Sequence, residues 1–163
     1  MSEGRSGRIV VMGAGNELLK DDGVGVHIVR ELARHTFNFP VEIIDAGTVP
    51  DCWQGDEPVR KLVVIDAVYG GGEPGAVYRF GPEDVEFEPL LMTSVHQLSF
   101  VNSLKLSEIA RCKPEKTVII GVEPKEVAWG MELSEELRGR IPDIVRMVLE
   151  EIMPDKGAGG MRD

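Results

Sequence analysis

GAGNELLKDDGVGV, residues 13–26, connects two different hydrophobic periods. Upstream lies the short apolar run Arg8-Ile9-Val10-Val11-Met12, which reads as a strand. Downstream, Val24, Ile28, Val29, Leu32 and Ala33 recur at helical spacing and predict a helix over residues 23–35. The segment is therefore a Gly-rich strand-to-helix turn, and it carries the acidic pair Asp21-Asp22 at the switch. In α/β proteins this is where ligands bind. Two readings of the pair follow from its position. The helix macrodipole favours carboxylates at an N-terminus, so both can be simple helix-start groups, or they can face a site. A dinucleotide-binding turn is disfavoured. Its third glycine would fall at position 18, which is Leu18, and two aspartates stand where a pyrophosphate needs bare amides.

Four further strands are expected at Val41–Asp45, Lys61–Ala67, Gly75–Phe80 and Thr117–Val122. Several are short continuous apolar runs, the pattern of strands buried on both faces of a largely parallel sheet. Helical patterns fall at 23–35, 97–111 and 141–152. In the last, Ile141, Ile144, Val145, Val148, Leu149 and Ile152 line one face, with Pro142 in the first turn. Ser134, followed by Glu135 and Glu136, reads as the N-cap of a separate short helical turn ending before Gly139. The stretch Gly70 to Gly75 is too short for a crossover helix, so the strand after it should run antiparallel to its predecessor. The expected fold is an α/β, three-layer α/β/α sandwich around a mostly parallel five-stranded mixed sheet with one antiparallel strand. One domain over residues 8–153 is expected, with flexible tails at 1–7 and 154–163.

The formal charge of −10 argues against a nucleic-acid partner, which requires a basic face. The N-terminal residues lack a signal-peptide core and no apolar run is long enough to span a bilayer, so no membrane insertion and a cytoplasmic location are expected. Cys52 and Cys112, the only cysteines, have no metal-ligand or disulfide-framework spacing and are read as reduced structural thiols.

Asp66 ends the strand Lys61-Leu62-Val63-Val64-Ile65, which puts it on the same sheet edge as Asp22. Asp45 ends the second strand in the same way. For each, a turn-forming role stands beside a functional one. His96, in Thr93-Ser94-Val95-His96-Gln97-Leu98, precedes a helical pattern and can open onto that edge or simply cap it. His27 and His35 belong with Arg30 and Arg34 on the polar flank and C-terminal end of the first helix. Two carboxylates and an imidazole can form a divalent-metal site with open positions, but spacing alone cannot join Asp22, Asp66 and His96.

Taken together, GAGNELLKDDGVGV, VEIIDAGT, LVVIDA, SVHQL and GVEPKEVAWGMELS resemble, in the same order, motifs of the hydrogenase maturation endopeptidases. The resemblance runs from about residue 8 to residue 150. It implies a five-stranded α/β/α fold and a cytoplasmic endopeptidase that removes the C-terminal extension of a nickel-iron (NiFe) hydrogenase large-subunit precursor after nickel insertion. It also maps the family's metal-contacting, catalytic positions onto Asp22, Asp66 and His96, and an acidic position beside the cleft onto Asp45, a candidate substrate-binding or supporting residue. Some relatives carry Glu at the first position, one methylene longer than Asp22; some have proline before the histidine or a second glycine after Asp45. None of these departures removes a ligand. Asp21 is left as a helix-start group.

The resemblance further implies that nickel arrives with the substrate and that no permanently bound cofactor is needed. Carboxylate and imidazole ligands suit nickel, and docking through an inserted ion would orient the adjacent peptide bond. The ion can then act as a Lewis acid, or a water can be activated by the metal or an aspartate. No Ser-His-Asp or Cys-His arrangement stands out and HExxH is absent. The expected state is a monomer that meets its client transiently, and loops 50–58 and 81–93 are candidates for client selection. The alternatives are a noncatalytic metal-binding module and a different protease on the same scaffold, similar to the germination proteases.

Overall fold

A computed structural model describes residues 7–48, 57–82 and 113–153. Strand β1 (Arg8–Ala14) leads through a single 3-10 turn (Lys20–Gly23) into helix α1 (Val24–Leu32). Strands β2 (Val41–Gly47), β3 (Val59–Ala67), β4 (Val77–Phe80) and β5 (Lys116–Val122) follow, and helix α2 (Glu135–Ile152) closes the described chain. The five strands form one sheet in the order β2-β1-β3-β5-β4. β1, β2, β3 and β5 run parallel, while β4 pairs antiparallel with β5 through Val77↔Val122 and Phe80↔Ile119. The reversal expected after the glycine stretch is present. Its partner is β5, which slots between β3 and β4 although it comes later in the chain.

Strand alternation sorts the core into two faces. Ile9, Val11, Val63, Ile65, Val118 and Ile120 meet the apolar stripes of α1 and α2, including Ile28, Leu32, Leu137, Ile144 and Val148. Val10, Met12, Leu62 and Val64 form a second cluster on the opposite face and are buried too. Burial on both sides is why β1, β3 and β5 read as unbroken apolar runs.

Two helical expectations change. The first helix, expected over residues 23–35, runs only from Val24 to Leu32, and the acidic pair at the switch occupies the 3-10 turn just before it. The short turn at Ser134 and the helix from 141 are one helix, with Pro142 inside it. The apolar stripe explains the fusion, because Leu137 lies four residues before Ile141 and is fully buried, so the core-facing row continues through Gly139. The helical pattern at 97–111 lies outside the described residues.

Close strand-helix contact is built from glycines. A Cβ at Gly13 would fall 2.2 Å from the Gly25 carbonyl oxygen, and one at Gly25 would fall 2.1 Å from the carbonyl oxygen of Ile65. The start of α1 is thereby pressed onto β1 and β3, and the residues just before it are held at their carboxyl ends.

Candidate functional site

Parallel pairing aligns the ends of β1, β2 and β3, with Gly13 opposite both Asp45 and Ile65. Asp66 is the next residue of β3 and is 3% exposed; its Oδ1 accepts a hydrogen bond from the Ala67 N–H at 2.8 Å. Asp22 approaches the same edge from the 3-10 turn. Its Oδ2 accepts the Asn16 N–H at 3.0 Å, and its carbonyl lies so close to Gly15 that a Cβ there would be 2.0 Å away. Gly15 also has φ +129°, a second reason for glycine. The loop amide a pyrophosphate would need is thus taken by the protein's own carboxylate, in keeping with the rejection of a nucleotide loop.

Asp45 stands at the end of β2, exposed, with Arg30 Nη2 3.3 Å from its Oδ2. Arg30 also pairs with Glu17 at 2.6 Å, and the hydrogen bond with Glu17 is the main reason its guanidinium is held above its usual pKa. His96 lies outside the described residues, as do Cys52 and Cys112. The structure therefore brings Asp22, Asp66 and Asp45 to one edge. Among the described residues, no three His, Cys, Asp or Glu side chains gather as a metal-holding group.

Asp21 has a different environment from its neighbour. It is fully buried, and its carboxylate caps no helix of its own. Oδ2 accepts the N–H groups of Lys125 and Glu126, each at 2.9 Å, and the Ser134 hydroxyl at 2.8 Å, while Oδ1 accepts the Ser134 N–H at 2.8 Å. Asp21 does stand in the first turn of a helix, the 3-10 turn, but its carboxylate bonds to a distant segment, and that changes part of the reading of Ser134. Ser134 does occupy the N-cap position of α2, but it makes no side-chain capping bond there, because its hydroxyl serves Asp21. The carboxylate ties the 3-10 turn to the segment between β5 and α2.

Two residues at this edge escaped the sequence reading. Glu123 directly follows β5 and Asp66 is the last but one residue of β3, so the signal of a carboxylate closing an apolar strand was present. It is 7% exposed, and its Oε2 accepts the Gly70 N–H at 2.6 Å and the Tyr78 hydroxyl at 3.3 Å. The Tyr78 oxygen in turn accepts the Gly72 N–H at 2.9 Å, so Glu123 and Tyr78 pin the loop that follows Asp66. Tyr69, on that loop, is the second. Burial pushes its phenol above the usual value, and the negative charges of Asp22, Glu123 and Asp21 add to the effect in that order. Its phenol thus lies in the field of the acidic edge.

The profile of a family described as hydrogenase maturation protease matches residues 26–151. Among curated proteins, the hydrogenase expression/formation protein HupD of Thiocapsa roseopersicina is 36% identical over 151 residues, covering 87% of this chain and 66% of that protein. The chain thus spans about two thirds of the length of that relative. Among solved structures, the hydrogenase maturating endopeptidase HybD from E. coli superposes with a TM-score of 0.79 at 27% identity, covering 88% of this chain and 91% of that one. The NiFe hydrogenase maturation protease HybD from Thermococcus kodakarensis gives a TM-score of 0.71 at 31% identity, covering 88% and 98%.

Proposed function

The chain belongs to the hydrogenase maturation protease family, and on that premise we propose that it is an endopeptidase that removes the C-terminal extension of a NiFe hydrogenase large-subunit precursor after nickel insertion. The observation that carries the proposal is the pair Asp22 and Asp66, delivered to one sheet edge by a glycine-packed turn and by the end of β3. Nickel is part of the substrate. Asp22 and Asp66, with His96, complete the coordination of the ion that the precursor presents, and their oxygen and imidazole donors suit a borderline divalent cation.

Holding the precursor through its own ion fixes the neighbouring peptide bond against the edge, so an unloaded precursor lacks the anchor and stays uncut. Asp45, engaged by Arg30, acts as a supporting residue for the bound chain. Hydrolysis needs a water placed against the scissile carbonyl. The edge carboxylates can orient that water and take its proton.

The test is incubation of the purified protein with nickel-loaded and nickel-free precursor, read by gel mobility and mass spectrometry. Shortening of the loaded precursor alone is expected, with no shortening by Asp66→Asn or His96→Ala despite unchanged circular dichroism. Equal cutting of both precursors would refute recognition through nickel. Full-length precursor in every lane would point to a noncatalytic binding module, and wild-type rates in the variants would sink the site assignment.

A further inference from the structure

The segment between β5 and α2 carries three large apolar side chains that the fold leaves in solvent: Trp129 is 81% exposed, Met131 58% and Val127 42%. Leu18, 47% exposed, comes from the turn that carries Asp22. Backbone bonds join the two segments. Gly130 N–H donates to the Leu18 carbonyl at 2.9 Å, Lys20 N–H to the Gly130 carbonyl at 2.8 Å, and Asp21 N–H to the Glu126 carbonyl at 3.1 Å. The buried Asp21 carboxylate adds its four bonds from Lys125, Glu126 and Ser134. Gly130 has φ +151°, and a Cβ there would fall 2.9 Å from Lys20 Cε, so the crossing is fitted closely. An exposed tryptophan on a segment held this firmly contributes nothing to the core. Its position costs little entropy to present to a partner.

Charge does not explain the surface. Lys20 pairs with Glu126 at 2.7 Å, Lys125 with Glu136 at 2.5 Å and Arg138 with Glu132 at 3.7 Å, so the ionic groups around the apolar ones already have partners within the chain. What is left for a partner is apolar area. Leu19, bridged to Gly130, is three residues from Asp22 through the 3-10 turn, about 6 Å at a rise of about 2 Å per residue, so the surface borders the reacting edge. A polypeptide held at Asp22 therefore has this surface within reach.

We propose that Leu18, Val127, Trp129 and Met131 form a docking surface for an apolar segment of the hydrogenase large-subunit precursor, flanking the bond to be cut. This rests on the reading of the chain as a precursor-processing endopeptidase. Trp129 is the anchor, since large aromatic side chains buried at interfaces carry a disproportionate share of binding.

The test uses the full chain, its Trp129→Ala, Trp129→Phe and Trp129→Ala/Met131→Ala variants, and nickel-loaded precursor over a range of concentrations. Because these side chains are exposed, melting temperatures should match the wild type. The double variant should raise KM by about tenfold or more with kcat within about twofold, and Trp129→Phe should recover most of the loss. An unchanged KM overturns the proposal. So does a double variant that keeps its KM but passes from dimer to monomer in sedimentation, which would assign the surface to a second copy of this chain. If the wild type itself leaves loaded precursor uncut, the functional reading falls first and the docking surface loses its client with it.

Discussion

Replacing Asp21 and Asp22 one at a time by alanine should separate stability from activity between two adjacent carboxylates. At Asp21 the substitution strips acceptors from four donors: the N–H groups of Lys125, Glu126 and Ser134 and the Ser134 hydroxyl, at 2.8–2.9 Å. A buried donor left unsatisfied costs about 1–3 kcal/mol, and water reaching these part-buried donors recovers part of it, so a loss of about 3–5 kcal/mol is expected. Set against a total stability of about 5–15 kcal/mol, this is a large fraction. For a domain of this size it lowers the melting temperature by roughly 6–20 °C. Asp21→Asn should be milder, about 1–3 kcal/mol, because an amide oxygen turned toward Lys125, Glu126 and the hydroxyl keeps three bonds and sets only its NH2 against the Ser134 N–H. Asp22→Ala, at a half-buried position, withdraws the acceptor of the Asn16 N–H and should cost only about 1 kcal/mol while abolishing precursor processing. Thermal melts by circular dichroism give the first quantity, and processing assays well below the melting temperature give the second. An Asp21→Ala protein that melts within about 2 °C of the wild type, or one less perturbed than Asp22→Ala, would refute the assignment of Asp21 as the structural anchor.

Glu151 supplies a pH test. Hydrogen bonding from Arg79, aided by Lys61 and opposed by burial, lowers its pKa from 4.5 to about 2. A carboxylate with a depressed folded-state pKa contributes stability that is complete above the unfolded value and fades as pH falls from 4.5 toward 2. Urea titrations should find Glu151→Gln less stable than wild type by about 1–3 kcal/mol at pH 7, allowing for solvent screening, with the gap closing by about pH 2; a constant gap would refute the linkage. Two glycine substitutions should act in opposite directions. Gly25→Ala forces a Cβ to 2.1 Å from the Ile65 carbonyl oxygen and should destabilise by about 3 kcal/mol or more, whereas exposed Gly139 has open space and its alanine variant should gain about 1 kcal/mol. Denaturant midpoints check both, and equal signs would contradict the packing described. Tyr78→Phe removes the hydroxyl that links Gly72 to Glu123 and should make the loop from Gly70 to Gly75 cut faster by added protease. Unchanged cleavage kinetics would show that Glu123 holds the loop without it.

The strands β1, β3 and β5 and the helices α1 and α2 were legible because each obeys a local period: continuous apolar runs for strands buried on two faces, and three- and four-residue spacing for helices packed on one. Local reading missed the fusion of the last helix, since Gly139 looks like a stop and Pro142 like a first-turn proline, and only the burial of Leu137 against the sheet outweighs them. Carboxylates at strand ends were equally readable for Asp45 and Asp66, and Glu123 carried the same mark. His96 lies outside the described residues.

The motif GAGNELLKDDGVGV, with the apolar periods on either side of it, determined a strand, a tight turn, a helix and an acidic pair at the edge of a sheet. It could not say how the pair divides its work, because Asp21 and Asp22 share the same local pattern. Tertiary structure decided it. The segment from Lys125 to Ser134, about a hundred residues further along the chain, folds back over one carboxylate, buries it and gives it four donors, while its neighbour is left half-buried at the end of β1. Whether a charge is buried and bonded depends on which distant backbone comes to rest beside it, and no local periodicity records that.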